Sequence, residues 1–168
     1  MSTPLSWPIW LSEDAAKLLR EAARSALPDE TGGVLVGVSV DARPWVTEAV
    51  LVPSEKSSPV YYELPGEARQ AAVDEARVRD RRLGYIGEWH SHTYDIGPSE
   101  LDRSTMARLA ESDSDCQQPV LLIARHRADA HSLEAYQQVG RFLQPLRVLA
   151  SGPLPPKQAE LTDGSEDG

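Results

Sequence analysis

A single cysteine, Cys116, stands in 168 residues. One thiol forms no internal disulfide framework, and it excludes every zinc finger built on several cysteines. It fits a reducing compartment. No stretch reaches the ~18 consecutive apolar residues of a membrane-spanning helix. Positive charge is also scarce: 17 Lys and Arg stand against 26 Asp and Glu, a net charge of −9 with the histidines neutral. So acidic a surface repels phosphate backbones and anionic lipid, which excludes nucleic acid and membrane surfaces as expected partners. Met1 to Trp10 has neither the basic start nor the apolar centre of a secretion signal. The expectation is a cytoplasmic protein.

What is present suffices for one domain, at ~100–200 residues per domain. Hydrophobic residues make up 40% and charged ones 26%, ordinary values for a globular chain. At this size roughly 70% of the unfolded chain's surface is buried on folding, so a core needs no covalent staples. Leu11 to Ala26 predicts an amphipathic helix, with Leu11, Ala15, Leu18, Leu19, Ala22 and Ala26 on one face and Ser12 as its cap. The β-branched run Thr31 to Val40 predicts a buried strand, and Trp45 to Val52 a second one after the turn Asp41–Pro44. Pro53 to Pro59 reads as loop, and Tyr61 and Tyr62 as a short edge strand. Pro65 to Leu83 carries a thin alanine face and predicts a helix ended by Gly84. Strands are expected at Tyr85–His92, Pro119–Arg125 and His131–Gln138, and a helix at Ser99–Ser112. Asp113–Asp115 reads as loop. The periodicity of Phe142 to Ala150 fits either element type. From Ser151 to Gly168 the chain turns to proline, glycine and acids, the composition of a disordered tail.

The chemistry concentrates in Gly87-Glu-Trp-His-Ser-His92 and Gly97-Pro-Ser-Glu-Leu-Asp102. Residues two apart on a strand share a face, so His90 and His92 point the same way and their imidazoles could chelate one ion. Asp102, one turn into the following helix, could fold back onto that face. Two histidines and a carboxylate leave a fourth position open, as in catalytic zinc sites. Ser99-x-x-Asp102 is equally a helix capping box that needs no metal, and the two readings are compatible.

Glu30-Thr-Gly-Gly-Val-Leu-Val-Gly37, followed by His90-Ser-His92 and Ser99-x-x-Asp102, resembles the JAMM (JAB1/MPN+) zinc metalloprotease family. The wording around the histidines is most similar to the bacterial JAB branch, some of whose members accompany ubiquitin-like conjugation enzymes in antiphage operons. The likeness spans roughly Leu11 to Leu149. Two departures stand out: six residues instead of seven separate His92 from Ser99, and Thr93 replaces the proline usual in eukaryotic members.

The resemblance implies an α/β fold, a JAB/MPN-like (cytidine-deaminase-like) mixed β-sheet flanked by helices in a single domain, 1–150, with the tail at 151–168. It implies that His90, His92 and Asp102 bind Zn2+ with water as fourth ligand. Glu30 would be general acid and base, and Ser99 would hydrogen-bond the oxyanion. The implied function is a deubiquitinase-like isopeptidase that cleaves at the C-terminus of a ubiquitin-like protein, for maturation or deconjugation. Implied partners are that substrate and E1-like and E2-like enzymes of the same operon. The alternatives are a hydrolase releasing an amino acid from a sulfur-carrier protein and a non-catalytic MPN scaffold, although scaffold members lose ligands or the glutamate. Gly32 and Gly33 would let a substrate strand approach for β-augmentation.

Elsewhere, Glu88 shares the His90 face and would support the site or pair with an arginine. Trp89, on the other face, is expected in the core. His126 and His131 are expected to be exposed at a turn, Cys116 to be inert, and Arg77, Arg79, Arg81 and Arg82 to form a solvated helix face.

Overall fold

The computed structural model describes residues 7–112, 116 and 118–152. The elements are β1 (Pro8–Ser12), α1 (Glu13–Ala26), β2 (Gly32–Val40), β3 (Arg43–Leu51), β4 (Ser57–Ser58), β5 (Tyr61–Tyr62), α2 (Ala68–Arg79), β6 (Gly84–His92), α3 (Glu100–Ser112), β7 (Val120–Arg127), β8 (Ala130–Val139) and β9 (Phe142–Ser151). Seven strands form one mixed sheet in the order β1-β3-β2-β6-β7-β8-β9, which closes through β9 and β1. Strand β1 lies parallel to both β3 and β9, and β6 lies parallel to β7. The other neighbours in this sheet are antiparallel. Strands β4 and β5 make a separate small hairpin.

Alternation along the strands explains where the helices sit. Leu35 and Leu122 face a core shared with Ile9, Leu11, Val46, Trp89 and the Ala15–Leu19 stripe of α1. Their neighbours Val34 and Val36 face Ala72 and Ala76 of α2, and Leu121 and Ile123 face Met106 and Leu109 of α3. The central strands are thus buried on both faces, which is why they read as continuous apolar runs. Each fully buried leucine or isoleucine here stabilises the fold by roughly 1.5–3 kcal/mol. The parity that sends Trp89 into the α1 core sends its neighbour His90 toward α3.

Three hairpins turn through left-handed backbone: Asp41 and Ala42 between β2 and β3, Ala128 and Asp129 between β7 and β8, and Gly140 between β8 and β9. Two successive positive φ values match the twist of the flanking strands.

The mixed α/β architecture matches the sequence reading, and several boundaries differ. Leu11 belongs to β1, and α1 starts at Glu13; Ser12 does cap it, accepting a hydrogen bond from the Ala15 amide at 3.1 Å. Helix α2 starts at Ala68, because the Ala68 amide first closes a turn on the Pro65 carbonyl. It ends at Arg79, so Gly84 opens β6 instead of ending a helix. The segment taken as loop contains β4. Phe142 to Ser151 is a strand, so the expected tail begins inside β9 at Ser151. The rest of the tail, 153–168, and Asp113 to Asp115 lie outside the described residues.

Candidate functional site

The site forms where β2 begins and β6 ends. Gly32 pairs with His90 in the antiparallel register. One step further on, the Ser91 amide donates to the Thr31 carbonyl at 2.7 Å, and the Thr31 amide donates to Ser91 Oγ at 2.9 Å. Both residues are buried, so this clasp is shielded from competing water. It holds Glu30 beside the two histidines. The Glu30 amide also donates to the Ser58 carbonyl at 2.9 Å, and its carbonyl accepts from the Ser57 hydroxyl. The β4 strand therefore closes over Glu30, which is only 8% exposed.

His90 and His92 point to one side as their spacing predicts, with Nε2 atoms 3.1 Å apart. His92 Nδ1 lies 2.9 Å from the Ile96 carbonyl. A carbonyl only accepts, so Nδ1 carries a proton and Nε2 is the nitrogen that faces the site. Asp102, in the first turn of α3, reaches back between them. Its Oδ1 is 3.1 Å from His90 Nε2 and its Oδ2 is 3.3 Å from His92 Nε2. The capping box forms as well: the Ser99 amide donates to Asp102 Oδ2 at 2.8 Å, and the Asp102 amide donates to Ser99 Oγ at 3.1 Å. Asp102 thus serves helix start and site together. Ser99 is exposed, and accepting from Asp102 leaves its O–H proton free for another acceptor.

The electrostatics follow from this packing. Burial pushes the Glu30 carboxyl up to about 6, against the lowering effect of His90 and His92, while Asp102 adds to the rise. Burial would raise Asp102 too, but hydrogen bonds from both imidazoles hold it far below the usual carboxylate range. Burial disfavours charge on His92, yet Asp102, the Ile96 carbonyl and Glu30 outweigh it and raise its pKa.

The donor chemistry, two imidazoles and a carboxylate, is that of a zinc or similar transition-metal site. The two Nε2 atoms stand 3.1 Å apart with one Asp102 oxygen against each, and one ligand atom from each of the three residues lies within 4.8 Å of the others. Among the described residues these three are the group of metal-ligating side chains whose donor atoms converge. A cavity of about 200 Å3 opens beside them, lined by Tyr62, Arg69, Glu88, His90, Asp102 and Met106. Larger grooves, such as that between α1 and β9, lie away from the histidines.

Other residues settle as follows. Glu88 pairs with Arg69 at 2.8 Å on the cavity wall. Trp89 is buried in the core, its Nε1 donating to the Val50 carbonyl at 3.1 Å. Gly32 and Gly33 serve this chain's own packing and not an incoming strand. A Cβ at Gly33 would stand 1.7 Å from the Val50 carbonyl oxygen, and one at Gly32 2.5 Å from that of Trp89. His131 is buried, not exposed, against the ring of His126 at 5.0 Å. Arg77, Arg79 and Arg82 tie down the end of α2 through the Leu83 carbonyl, Glu48 and Asp80. Cys116 is half-buried, with Sγ 3.9 Å from the Ile86 carbonyl. Two site contributors escaped sequence reading. The Ile96 carbonyl is a backbone group with no sequence signature, whereas the Ser91 hydroxyl sat in plain view between the two histidines.

A family model described as prokaryotic homologs of the JAB domain matches residues 12–138. The fold is similar to the solution structure of protein DSY2949 from Desulfitobacterium hafniense, with a TM-score of 0.69 and 22% identity over 87% of this chain and 94% of that one. It is also similar to the crystal structure of a JAB1/MPN domain protein from Archaeoglobus fulgidus, with a TM-score of 0.52 and 21% identity over 84% and 98% of the two chains. No curated protein sequence matches significantly.

Proposed function

The chain belongs to the prokaryotic JAB-domain family, and from that premise we propose that it is a zinc-dependent isopeptidase cleaving at the C-terminus of a ubiquitin-like protein. The observation that carries this is the convergence of His90, His92 and Asp102 donor atoms, all within 4.8 Å of one another, beside a buried Glu30. Retention of all four favours an enzyme over a scaffold.

Zinc, when bound by those three side chains, supplies a Lewis acid with an open position and lowers the pKa of water there from 15.7 to about 7. Glu30, its carboxyl raised to about 6 by burial, is matched to accept a proton from water near neutral pH. The water oxygen adds to the scissile carbonyl carbon, the C–N bond breaks, and Glu30 returns the proton to the departing amine. Ser99 donates its hydroxyl proton to the carbonyl oxygen as negative charge builds there, a type of contact worth about 2.7–4 kcal/mol. The seven-strand sheet is closed, so an extended substrate tail finds no edge on it. Pairing by strand addition falls to the β4–β5 hairpin, whose Tyr61 and Tyr62 border the cavity. Within this reading the E1-like and E2-like enzymes of a conjugation operon are partners, antiphage defence is the setting and the cytoplasm is the location.

The test is hydrolysis of a ubiquitin-like fusion by zinc-loaded protein, with Glu30→Gln as control. Cleavage after the modifier's terminal glycine, lost in the variant, is the expected result. Release of a single amino acid from a sulfur-carrier protein, with the fusion untouched, would replace this reading by the carrier hydrolase.

A further inference from the structure

The segment from Thr93 to Pro98, between His92 and α3, is pinned to the neighbouring strand. Arg125, on β7, stands opposite His92 in the parallel register. Its Nε donates to Asp95 Oδ1 at 2.7 Å, and its Nη2 donates to the Asp95 backbone carbonyl at 3.2 Å. One guanidinium thus holds both the side chain and the peptide of Asp95. Arg127 adds a second donor to the same Oδ1 at 2.8 Å. Arg125 is itself anchored, since Nη1 meets Glu134 Oε1 at 3.0 Å and Tyr136 Oη donates to Glu134 Oε2 at 2.9 Å. The Arg125 side chain is 18% exposed and that of Glu134 23%, so water and salt screen this anchor less than an open surface pair. The residue after Asp95 is Ile96, whose amide closes a tight turn on the Tyr94 carbonyl at 2.9 Å. Its own carbonyl is the group that receives His92 Nδ1–H.

We propose that Asp95 and Arg125 are positioning residues for the metal centre: their ion pair holds the Ile96 carbonyl against His92 Nδ1–H and thereby keeps Nε2 as the nitrogen turned toward Asp102 and His90, where it would serve as ligand. The inference rests on the metal reading above only for its functional consequence. Neither residue touches the ion or the substrate. Thr93 lacks the fixed φ of a proline, and here the segment is held by the Arg125–Asp95 clamp and by Thr93 Oγ1 donating to the Pro59 carbonyl at 2.6 Å. Partners that orient a metal-bound histidine typically change metal affinity 10- to 100-fold when removed.

The experiment uses the full chain with Asp95→Ala and, because a change at Arg125 would also disturb its pairing with Glu134, takes Asp95→Asn as the milder change. Asp95 is the most exposed member of the network, so both variants should fold. Nitrogen-15 NMR of the metal-free protein reads the tautomer of each imidazole. At a pH above the His92 transition, where the ring is neutral, the wild type should show His92 protonated at Nδ1 alone. Asp95→Ala should show a mixture, with the His90 signals unmoved, and Asp95→Asn should recover most of the wild-type signature. Zinc dissociation constants by chelator competition should rise about tenfold in Asp95→Ala. A His92 signature unchanged in Asp95→Ala overturns the proposal whatever zinc does. A changed signature with zinc held as tightly as before overturns its bearing on the metal. Failure of the wild type to bind zinc would refute the functional reading, while the tautomer measurement still decides whether Asp95 orients the ring.

Discussion

Replacing Glu30 by Gln should stabilise the metal-free protein near neutral pH while abolishing turnover. The carboxyl is raised from 4.5 to about 6, mainly because it is buried. At 1.36 kcal/mol per pH unit that difference corresponds to about 2 kcal/mol. The sign follows from linkage. Between 4.5 and 6 the folded chain binds more proton at Glu30 than the unfolded chain does, so stability falls as pH rises through that window. Above pH 6 the full penalty of about 2 kcal/mol is present; below 4.5 it is gone. A glutamine never ionises and carries no such slope. Any fixed cost of the amide cancels when one variant is compared with itself at two pH values. Urea unfolding in the presence of chelator, at pH 4 and pH 7.5, supplies the four free energies. Relative to wild type, Glu30→Gln should gain about 2 kcal/mol more at pH 7.5 than at pH 4. For a domain of this size that is roughly 4–8 °C in Tm. If the two proteins lose stability in parallel between those pH values, Glu30 ionises as an ordinary exposed acid, and the argument for a buried base is refuted.

Zinc at a hundredfold excess over its Kd should stabilise the wild type by about 2.7 kcal/mol and leave His92→Ala unmoved in a thermal-shift assay. An equal shift in both would remove His92 from the ligand set. The raised His92 pKa means its pairing with Asp102 stabilises the metal-free fold below about pH 6.5 and is lost as pH climbs through the folded value. Zinc must displace that proton, so affinity by calorimetry should weaken from pH 8 to pH 6, with proton release growing as pH falls. Gly33→Ala drives a Cβ to 1.7 Å from the Val50 oxygen, a backbone clash that should leave no cooperative unfolding transition by circular dichroism. Ala42→Gly relieves a left-handed alanine at φ 61° and should raise stability by about 0.5–1 kcal/mol in the same urea assay. A loss of stability there would show that the turn is not strained.

Which features could be read from the chain alone follows from how local their causes are. The His90–His92 parity and the Ser99–Asp102 capping box span a dozen residues, and both form as read. Glu30 is different: by itself it is one more acid after Asp29, and only the likeness to a known pattern singled it out. Strand β1 was missed because its partners, Trp45 on one side and Arg147 to Ser151 on the other, are far away in sequence. Leu11 meanwhile continues the helical period, so a local pattern absorbed it into α1. The same limit hid the burial of His131, which comes from the packing of β8, and the roles of Gly32 and Gly33, which are set by strands β3 and β6. Arg77, Arg79, Arg81 and Arg82 are exposed, as read; the pairing of Arg79 with Glu48 was not legible because that carboxylate lies 31 residues upstream.

Strand β1 lies between β3 and β9, parallel to both. Among the described strands it is made first, and one of its two neighbours, β9, is made last. Until β9 is made, β1 and β8 each present a row of unsatisfied amides and carbonyls to the cell. A nascent chain stalled short of Phe142 is therefore an open sheet with two adhesive margins. Sealing the cylinder waits on the synthesis of β9, and stop codons before Phe142 should yield aggregates in place of a smaller folded domain.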